Sequence, residues 1–355
     1  MFITMVAAAA LQAAPEFSAS PFTMFDMEAR YSANVALADM DGDGDLDVLL
    51  ANGRHWAQPD FVYLNDGKSR LLEAVPVGET LAASYALLPG DLDGDGDMDA
   101  VAVRDSLPVL MFENDGKGRM SLVGEVAESG GSARGALLED LDGDGRLDLV
   151  IARRGHADLL YRGSEAFLFA PPTLLPDGRS TSVDAGDLDG DGDMDLAFAR
   201  RDGDESIVLL NEGADGWRKV ALAGSAGDHR KLAVADMDGD GLKDVVLAST
   251  EGALTFYRNE GGTFAATGST SVPSGQVQAL VAGDVDGDGD MDLVAGGEGA
   301  NALLLNDGAG VLTAHELPGL EGDSYGLALG DMNGDGKVDV VVANSEEANI
   351  VLRQR

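Results

Sequence analysis

Short aliphatic runs separated by polar turns recur along almost the whole chain. In the first unit YSANVALAD, LDVLLAN, DFVYLN and RLLEAVPV follow one another, and later units carry LDLVIAR, KDVVLAS and VDVVVAN at the place of the second run. Such runs are rich in β-branched and aliphatic residues, are bounded by turn formers and are too short for helices, so they predict buried strands. Asn-Asp-Gly turns at Asn65, Asn114 and Asn306, with Asn-Glu-Gly at Asn211 and Asn259, predict the hairpins between third and fourth strands. The expected fold is all-β: a seven-bladed β-propeller of four-stranded antiparallel blades, one unit per blade. The blades fall at about 30–78, 79–127, 128–176, 177–225, 226–273, 274–320 and 321–355, within a single domain over 15–355. The seventh unit has a third strand, ANIVLRQ, but no fourth; PEFSASPFT, from Pro15 to Thr23, resembles the other fourth strands, and residues 15–24 are expected to complete the last blade.

The turn between the first and second runs is a nine-residue acidic motif, present seven times at intervals of 47 to 52 residues. Its members are Asp39, Asp41, Asp43, Asp45 and Asp47; Asp91, Asp93, Asp95, Asp97 and Asp99; Asp140, Asp142, Asp144, Arg146 and Asp148; Asp187, Asp189, Asp191, Asp193 and Asp195; Asp236, Asp238, Asp240, Leu242 and Asp244; Asp284, Asp286, Asp288, Asp290 and Asp292; and Asp331, Asn333, Asp335, Lys337 and Asp339. Carboxylates at positions 1, 3, 5 and 9 form a dense set of hard oxygen donors, and glycines at 4 and 6 let the backbone wrap one centre, which points to calcium, up to seven ions. Position 7 varies, as suits a ligand supplied through its backbone carbonyl. An EF-hand is excluded, because position 12 is Leu50, Ala102, Ile151, Phe198, Leu247, Ala295 or Val342 where that loop needs a bidentate Glu. Asn333 with Lys337, Arg146 and Lys243 predict weaker binding in the seventh, third and fifth loops.

These repeats resemble FG-GAP/VCBS repeats, the units of calcium-binding propellers in integrin α-subunit heads and in secreted bacterial proteins. The resemblance covers about residues 16 to 355. It implies calcium in the loops between first and second strands. It implies no single activity, since the scaffold serves adhesion, lectin-like binding and, in some polysaccharide lyases, catalysis.

The formal charge of −39 sharpens this picture, because 31 of the 63 acidic residues lie inside the seven motifs. The acidity is largely a metal-binding inventory, and what remains argues against nucleic acid as a partner. Cysteine is absent, so metal takes the place of disulfides, and low-affinity calcium loops suit a secreted or periplasmic location. Residues 1–14, an apolar run followed by small residues, read as a signal peptide without the usual basic start; no other stretch is long enough to span a membrane.

If the acidic loops share one face with the Asn-Asp-Gly hairpins, the opposite face carries the loops between second and third strands and the segments leading into each first strand. There the bases collect: Arg54, His55, Arg104, Arg153, Arg154, His156, Arg200 and Arg201 from the former, and Arg30, Arg134, Arg179, His229, Arg230 and Lys231 from the latter. Arg forks recognise carboxylate, sulfate or phosphate, and Trp56, in the longest of these loops, offers a stacking surface. The residues six places before each motif, Ala33, Tyr85, Arg134, Thr181, Arg230, Gln278 and Tyr325, are expected to ring the central funnel. The sequence thus predicts a monomeric binding or adhesion module for an extracellular glycan or protein. A calcium-dependent lyase or hydrolase using His55, His156, Arg134 or Arg230 is the alternative, and a purely structural module the third reading; no nucleophile motif or phosphate loop favours catalysis.

Overall fold

The computed structural model describes residues 14–273, 275–319 and 322–355. The predicted signal peptide lies outside them except for Ala14. Apart from one 3₁₀ turn, Gly213–Asp215, the regular elements are strands in antiparallel sheets, and among the described residues no helix is long and apolar enough to cross a membrane. Each repeat is numbered below by its acidic motif.

Repeat 1 forms the sheet Ser32–Ala38, Asp47–Asn52, Phe61–Asn65 and Leu71–Pro76, in that order. Repeats 2, 5 and 6 form sheets of the same order, beginning with Ser84–Gly90, His229–Ala235 and Ala279–Gly283. Repeats 3 and 4 depart from the expected pattern by sharing one six-stranded sheet. Asp148–Tyr161 runs as one bent strand through the stretch expected to be a loop, and Thr173–Gly186 runs from the outer strand of repeat 3 into the inner strand of repeat 4. The fourth strand of repeat 3 begins only at Thr173; Leu168–Phe169, expected within it, pairs instead with Gly163–Glu165 in a small extra hairpin.

Repeat 7 contributes Gly322–Gly330, Asp339–Ser345 and Asn349–Gln354. The N-terminal segment adds to the free edge of the last of these in two pieces: Phe17 pairs with Gln354 and Ser18 with Arg353, then Met24 with Ile350 and Phe25 with Asn349. The break falls at Ser20–Thr23, where the Thr23 N–H turns back to the Ser20 carbonyl and Pro21 has no N–H to pair.

The core is divided among the interfaces between successive sheets. Second strands such as Asp47–Asn52 and Asp195–Arg200 are buried end to end, whereas fourth strands such as Leu71–Pro76 are largely exposed. Leu49, Ala51, Leu87 and Phe112 pack between repeats 1 and 2, and Val150, Leu160, Leu196 and Phe198 between repeats 3 and 4. The same kind of cluster joins the last repeat to the first: Phe25, Val341 and Val351 pack with Val35, Leu50 and Tyr63. Each inner strand lies against the next, and that of repeat 7 lies against that of repeat 1. Gly326 permits this approach, since a Cβ there would sit 2.7 Å from the Val35 nitrogen. This is the layout of a β-propeller, in which each sheet buries its faces only against its neighbours.

Candidate functional sites: acidic loops and a central cationic cavity

The acidic loops are built from their own backbone. In loop 1 Asp39 accepts the Gly42 and Gly44 N–H groups at 2.8 and 3.0 Å, and Asp43 accepts the Asp45 N–H at 2.9 Å; loops 2, 5 and 6 repeat the Asp-to-glycine pattern. Glycine serves at positions 4 and 6 because the turn needs positive φ there, 74° at Gly42 and 94° at Gly44. The residue at position 2, such as Met40, plugs into the core, 1% exposed.

Position 9 also has a structural duty. Asp47 is buried and accepts the N–H groups of Met40 and Asn65, both at 2.8 Å, fastening the loop to the end of the third strand. Burial pushes Asp47, Asp99, Asp195 and Asp292 up to about 6 despite these bonds. The Asn of each Asn-Asp-Gly turn does more than form a hairpin. Asn114 Nδ2 donates to the carbonyls of Met98 in its own repeat and Met40 in the preceding one; Asn306 does the same with Met291 and Met237, and Asn65 reaches from repeat 1 to Met332 in repeat 7.

The donor set fits a divalent cation. Carboxylates of Asp39, Asp41 and Asp43, of Asp91, Asp93 and Asp99, of Asp140, Asp142 and Asp144, of Asp187, Asp189 and Asp195, and of Asp236, Asp238 and Asp240 bring ligand oxygens within 4.8 Å of one another. Asp189 Oδ1 is buried without a hydrogen-bond partner, as an oxygen awaiting a cation would be. Burial and, next, the neighbouring Asp43 carboxylate raise the Asp41 carboxyl above its usual range.

Several loops, however, carry a guanidinium of their own. In loop 3 Arg146 pairs with Asp144, while Arg162 pairs with Asp148 and lies 3.7 Å from Asp142. Arg258 reaches Asp238 at 2.8 Å and Asp240 at 2.9 Å in loop 5, and Arg218 stands 3.7 Å from Asp189 in loop 4. Among the described residues no Lys or Arg pairs with the carboxylates of loops 1 and 2. The sequence reading singled out Arg146 and Lys243 but missed Arg162, Arg218 and Arg258. Arg162 and Arg258 each immediately precede the residue whose N–H bonds the position-9 Asp, Gly163 and Asn259, so aligning the repeats on that residue would have exposed them. Loops 1 and 2 are therefore expected to take up calcium before loops 3 and 5. Exposed ion pairs contribute about 0.2–1 kcal/mol each, so Arg258→Gln should tighten loop 5 several-fold in a terbium titration; an unchanged isotherm would show that the guanidinium does not compete.

The opposite end of the inner strands is basic. One cavity of about 180 Å³ is lined by Ala33, Tyr85, Arg134, Thr181, Arg230, Gln278 and Tyr325, the seven positions six residues before the motifs, together with Arg54, His55, Arg154, Arg201 and Lys231. The mechanism is a β-bulge. In six repeats the register between first and second strands slips by one residue, skipping Ala33, Tyr85, Arg134, Thr181, Arg230 and Tyr325; a bulge re-aims the extra residue, here toward the centre. In repeat 6 Gln278 lies just ahead of the strand.

Inside the cavity Arg54 lies 3.5 Å over the Tyr325 ring and Arg134 4.5 Å over Tyr85. The Tyr85 hydroxyl lies 3.5 Å from His55 Nδ1. Burial and the adjacent Arg54 and Arg134 push the His55 pKa down, which favours its neutral imidazole. Carboxylates brace the rim: Asp105 at 2.8 Å from Arg134, Asp202 bidentate to Arg154 at 2.9 and 2.7 Å, Asp228 at 3.7 Å from Arg201 and Asp323 at 3.8 Å from Arg54.

Eight residues grouped with this face by sequence, Arg30, Arg104, Arg153, His156, Trp56, Arg179, Arg200 and His229, do not line the cavity. Arg153 turns back to the carbonyls of Ala157 and Gly130, and Arg200, 3% exposed, to that of Pro176; like Arg104 on Pro108, they are strand-end guanidiniums long enough to reach nearby backbone carbonyls. His156 is exposed on the bent strand, and Trp56 is 65% exposed on its loop.

The FG-GAP-like repeat model matches residues 39–102, 91–151, 140–198, 187–247, 236–295 and 284–342. Solved structures of similar fold include BBS1N in complex with ARL6DN, in a form soaked with mercury (TM-score 0.63, 12% identity, 92% of this chain and 93% of that one) and a form soaked with lead (0.63, 14%, 92% and 93%). Another is an Agrocybe aegerita lectin described as recognising non-reducing terminal N-acetylglucosamine (0.58, 20%, 90% and 87%). No curated protein matches the chain. With its motif-bearing loops matched from residue 39 to residue 342, the chain belongs to the FG-GAP-like repeat family.

Proposed function

We propose that the chain is a secreted, calcium-stabilised propeller of seven blades, closed by its N-terminal strand, and that it recognises an anionic extracellular glycan in the cavity opposite the calcium loops. The observation that carries this reading is the convergence of one residue from every repeat, with six Arg and Lys side chains, on one cavity in a protein of net charge −39. In so acidic a molecule a cationic cavity focuses the field on anions, and guanidinium forks flanked by tyrosine faces suit a sugar bearing carboxylate or sulfate. The similar structures are of two kinds, one a propeller described in complex with a protein and one a lectin. The polar lining and small volume of this cavity favour the sugar over a broad protein contact.

The test is a screen of the calcium-loaded protein against acidic and neutral glycans, with product analysis on each hit. Retention of acidic glycans without turnover is expected; retention of none would overturn the reading. His55 beside the Tyr85 hydroxyl supports a second reading as a lyase, in which the imidazole takes the proton next to the sugar carboxylate, the neighbouring glycosidic C–O bond breaks to leave a C=C bond, and the departing oxygen takes the Tyr85 hydroxyl proton. Release of unsaturated oligosaccharides, lost in His55→Ala, would establish it.

A further inference from the structure

The six cations of the cavity are not equivalent. Arg54, Arg134, Arg154 and Arg201 each face a carboxylate, Asp323, Asp105, Asp202 and Asp228 respectively, so each has a counter-charge within 3.8 Å. Arg230 and Lys231, adjacent on the inner strand of repeat 5, are different.

Arg230 Nη1 donates to the uncharged Gln278 Oε1 at 3.0 Å, and the Gln278 amide is oriented by giving its Nε2 hydrogen to Asp323 at 2.6 Å. Asp323 is thus engaged by Gln278 and Arg54, and no carboxylate pairs with Arg230 among the described residues. Its Nε is buried with no acceptor; the Arg201 Nε likewise lacks a hydrogen bond but has the Asp228 carboxylate 3.7 Å away. Lys231 has no hydrogen-bond or ion-pair partner among the described residues, and burial pulls its pKa down, which marks an uncompensated charge. At the place of Lys231 the other repeats carry Asn34, Ala86, Gly135, Ser182, Ala279 and Gly326, so this lysine is the one charge in its ring. The bulge between His229 and Lys231 sends two consecutive side chains into the cavity.

We infer that Arg230 and Lys231 form the anion subsite of the cavity, and that it takes the single carboxylate or sulfate of one sugar residue. The inference rests on the glycan-binding reading above and narrows it. An anion at this point supplies the acceptor that Arg230 Nε and Lys231 Nζ lack, and an unpaired buried donor is costly enough that satisfying it adds to affinity. Size fits the ligand: at about 30 Å³ of liquid per water, a cavity of about 180 Å³ holds roughly six water-sized groups, room for the charged substituent of one sugar and part of its ring. Tyr85, Tyr325 and Thr181 line the cavity with it and offer partners for the sugar hydroxyls.

The experiment is calorimetric titration of the calcium-loaded full chain with glucuronate, a sulfated monosaccharide, the neutral parent sugar and a short peptide with a free C-terminal carboxylate. Wild type is compared with Arg230→Gln, Lys231→Met and Arg154→Gln, each checked by its melting temperature. The expected result is binding of one or both anionic sugars, weakened at least tenfold by Lys231→Met and by Arg230→Gln and less than threefold by Arg154→Gln; the arm that binds tells carboxylate from sulfate. Should Arg230→Gln lose its fold along with the Gln278 contact, Lys231→Met, which removes no hydrogen bond or ion pair among the described residues, decides the matter alone. Full affinity in Lys231→Met with loss in Arg154→Gln would overturn the assignment while leaving glycan binding intact. Binding of the peptide alone, or of nothing, by wild type would overturn both.

Discussion

Chelation of calcium is expected to lower the melting temperature of this protein by about 10 °C. A loop that binds the ion only when folded stabilises by mass action, about 2.7 kcal/mol at a concentration one hundredfold above its Kd. If three loops fill, the total is about 8 kcal/mol, and for a chain of this size about 0.7 kcal/mol corresponds to each degree. The geometry behind the figure is the double use of position 9: Asp47 holds the loop to the third strand through Met40 and Asn65 while lying in the same acidic loop as Asp39, Asp41 and Asp43. Without the cation these carboxylates face one another with no counter-charge, Asp47 buried and Asp39 and Asp41 half-buried.

The pH dependence of the chelated protein follows. The carboxyls of Asp47, Asp99, Asp195 and Asp292 sit at about 6 in the folded chain against an ordinary 3.8. The folded state therefore binds their protons more tightly than the unfolded state. Their contribution to stability is fully present below pH 3.8 and is lost as pH rises through about 6. In chelator the melting temperature should fall between about pH 4 and pH 6; with calcium present the slope should reverse, because protons then compete with the ion. A melt indifferent to both chelator and pH, followed by circular dichroism, would refute calcium as the stabilising element.

Much of this was legible in the sequence because a repeat reports position as well as composition. The offset of six residues from the motif picks out Ala33, Tyr85, Arg134, Thr181, Arg230, Gln278 and Tyr325, and the structure places all seven around one cavity, since each first strand enters its sheet at the same phase. The bulges that turn these side chains inward leave no mark in the hydrophobic pattern. Side-chain reach was not legible either. Arg153 and Arg154 are neighbours in sequence, yet one bonds the carbonyls of its own turn and the other lines the cavity, because alternate residues of a strand point to opposite faces. Arg258 sits in a strand and Arg162 just past the end of one, yet both act in the acidic loops, contacts that only the folded register creates.

Replacing Phe25 by Ala is expected to destabilise the chain by about 3–5 kcal/mol and to do so at one seam. Phe25 is 2% exposed; its backbone pairs with Asn349 in repeat 7 while its ring meets the edge of Tyr63 in repeat 1 at 5.1 Å. One side chain thus joins the edge of the last sheet to the core it shares with the first. Phe198→Ala, between repeats 3 and 4, removes the same side chain from an interface inside the continuous run of repeats. In an architecture where each unit is held by its neighbours, Phe198→Ala should raise hydrogen exchange around repeats 3 and 4. Phe25→Ala should raise it in Ser32–Ala38 and Asn349–Gln354 together, although those strands lie at opposite ends of the sequence. Raised exchange on one side alone, or a melting temperature equal to that of the parent, would show that the N-terminal strand decorates the propeller and does not close it. Coupled opening of both ends would mean that the strand paired with Asn349 and Ile350 completes the ring on which the central cavity depends.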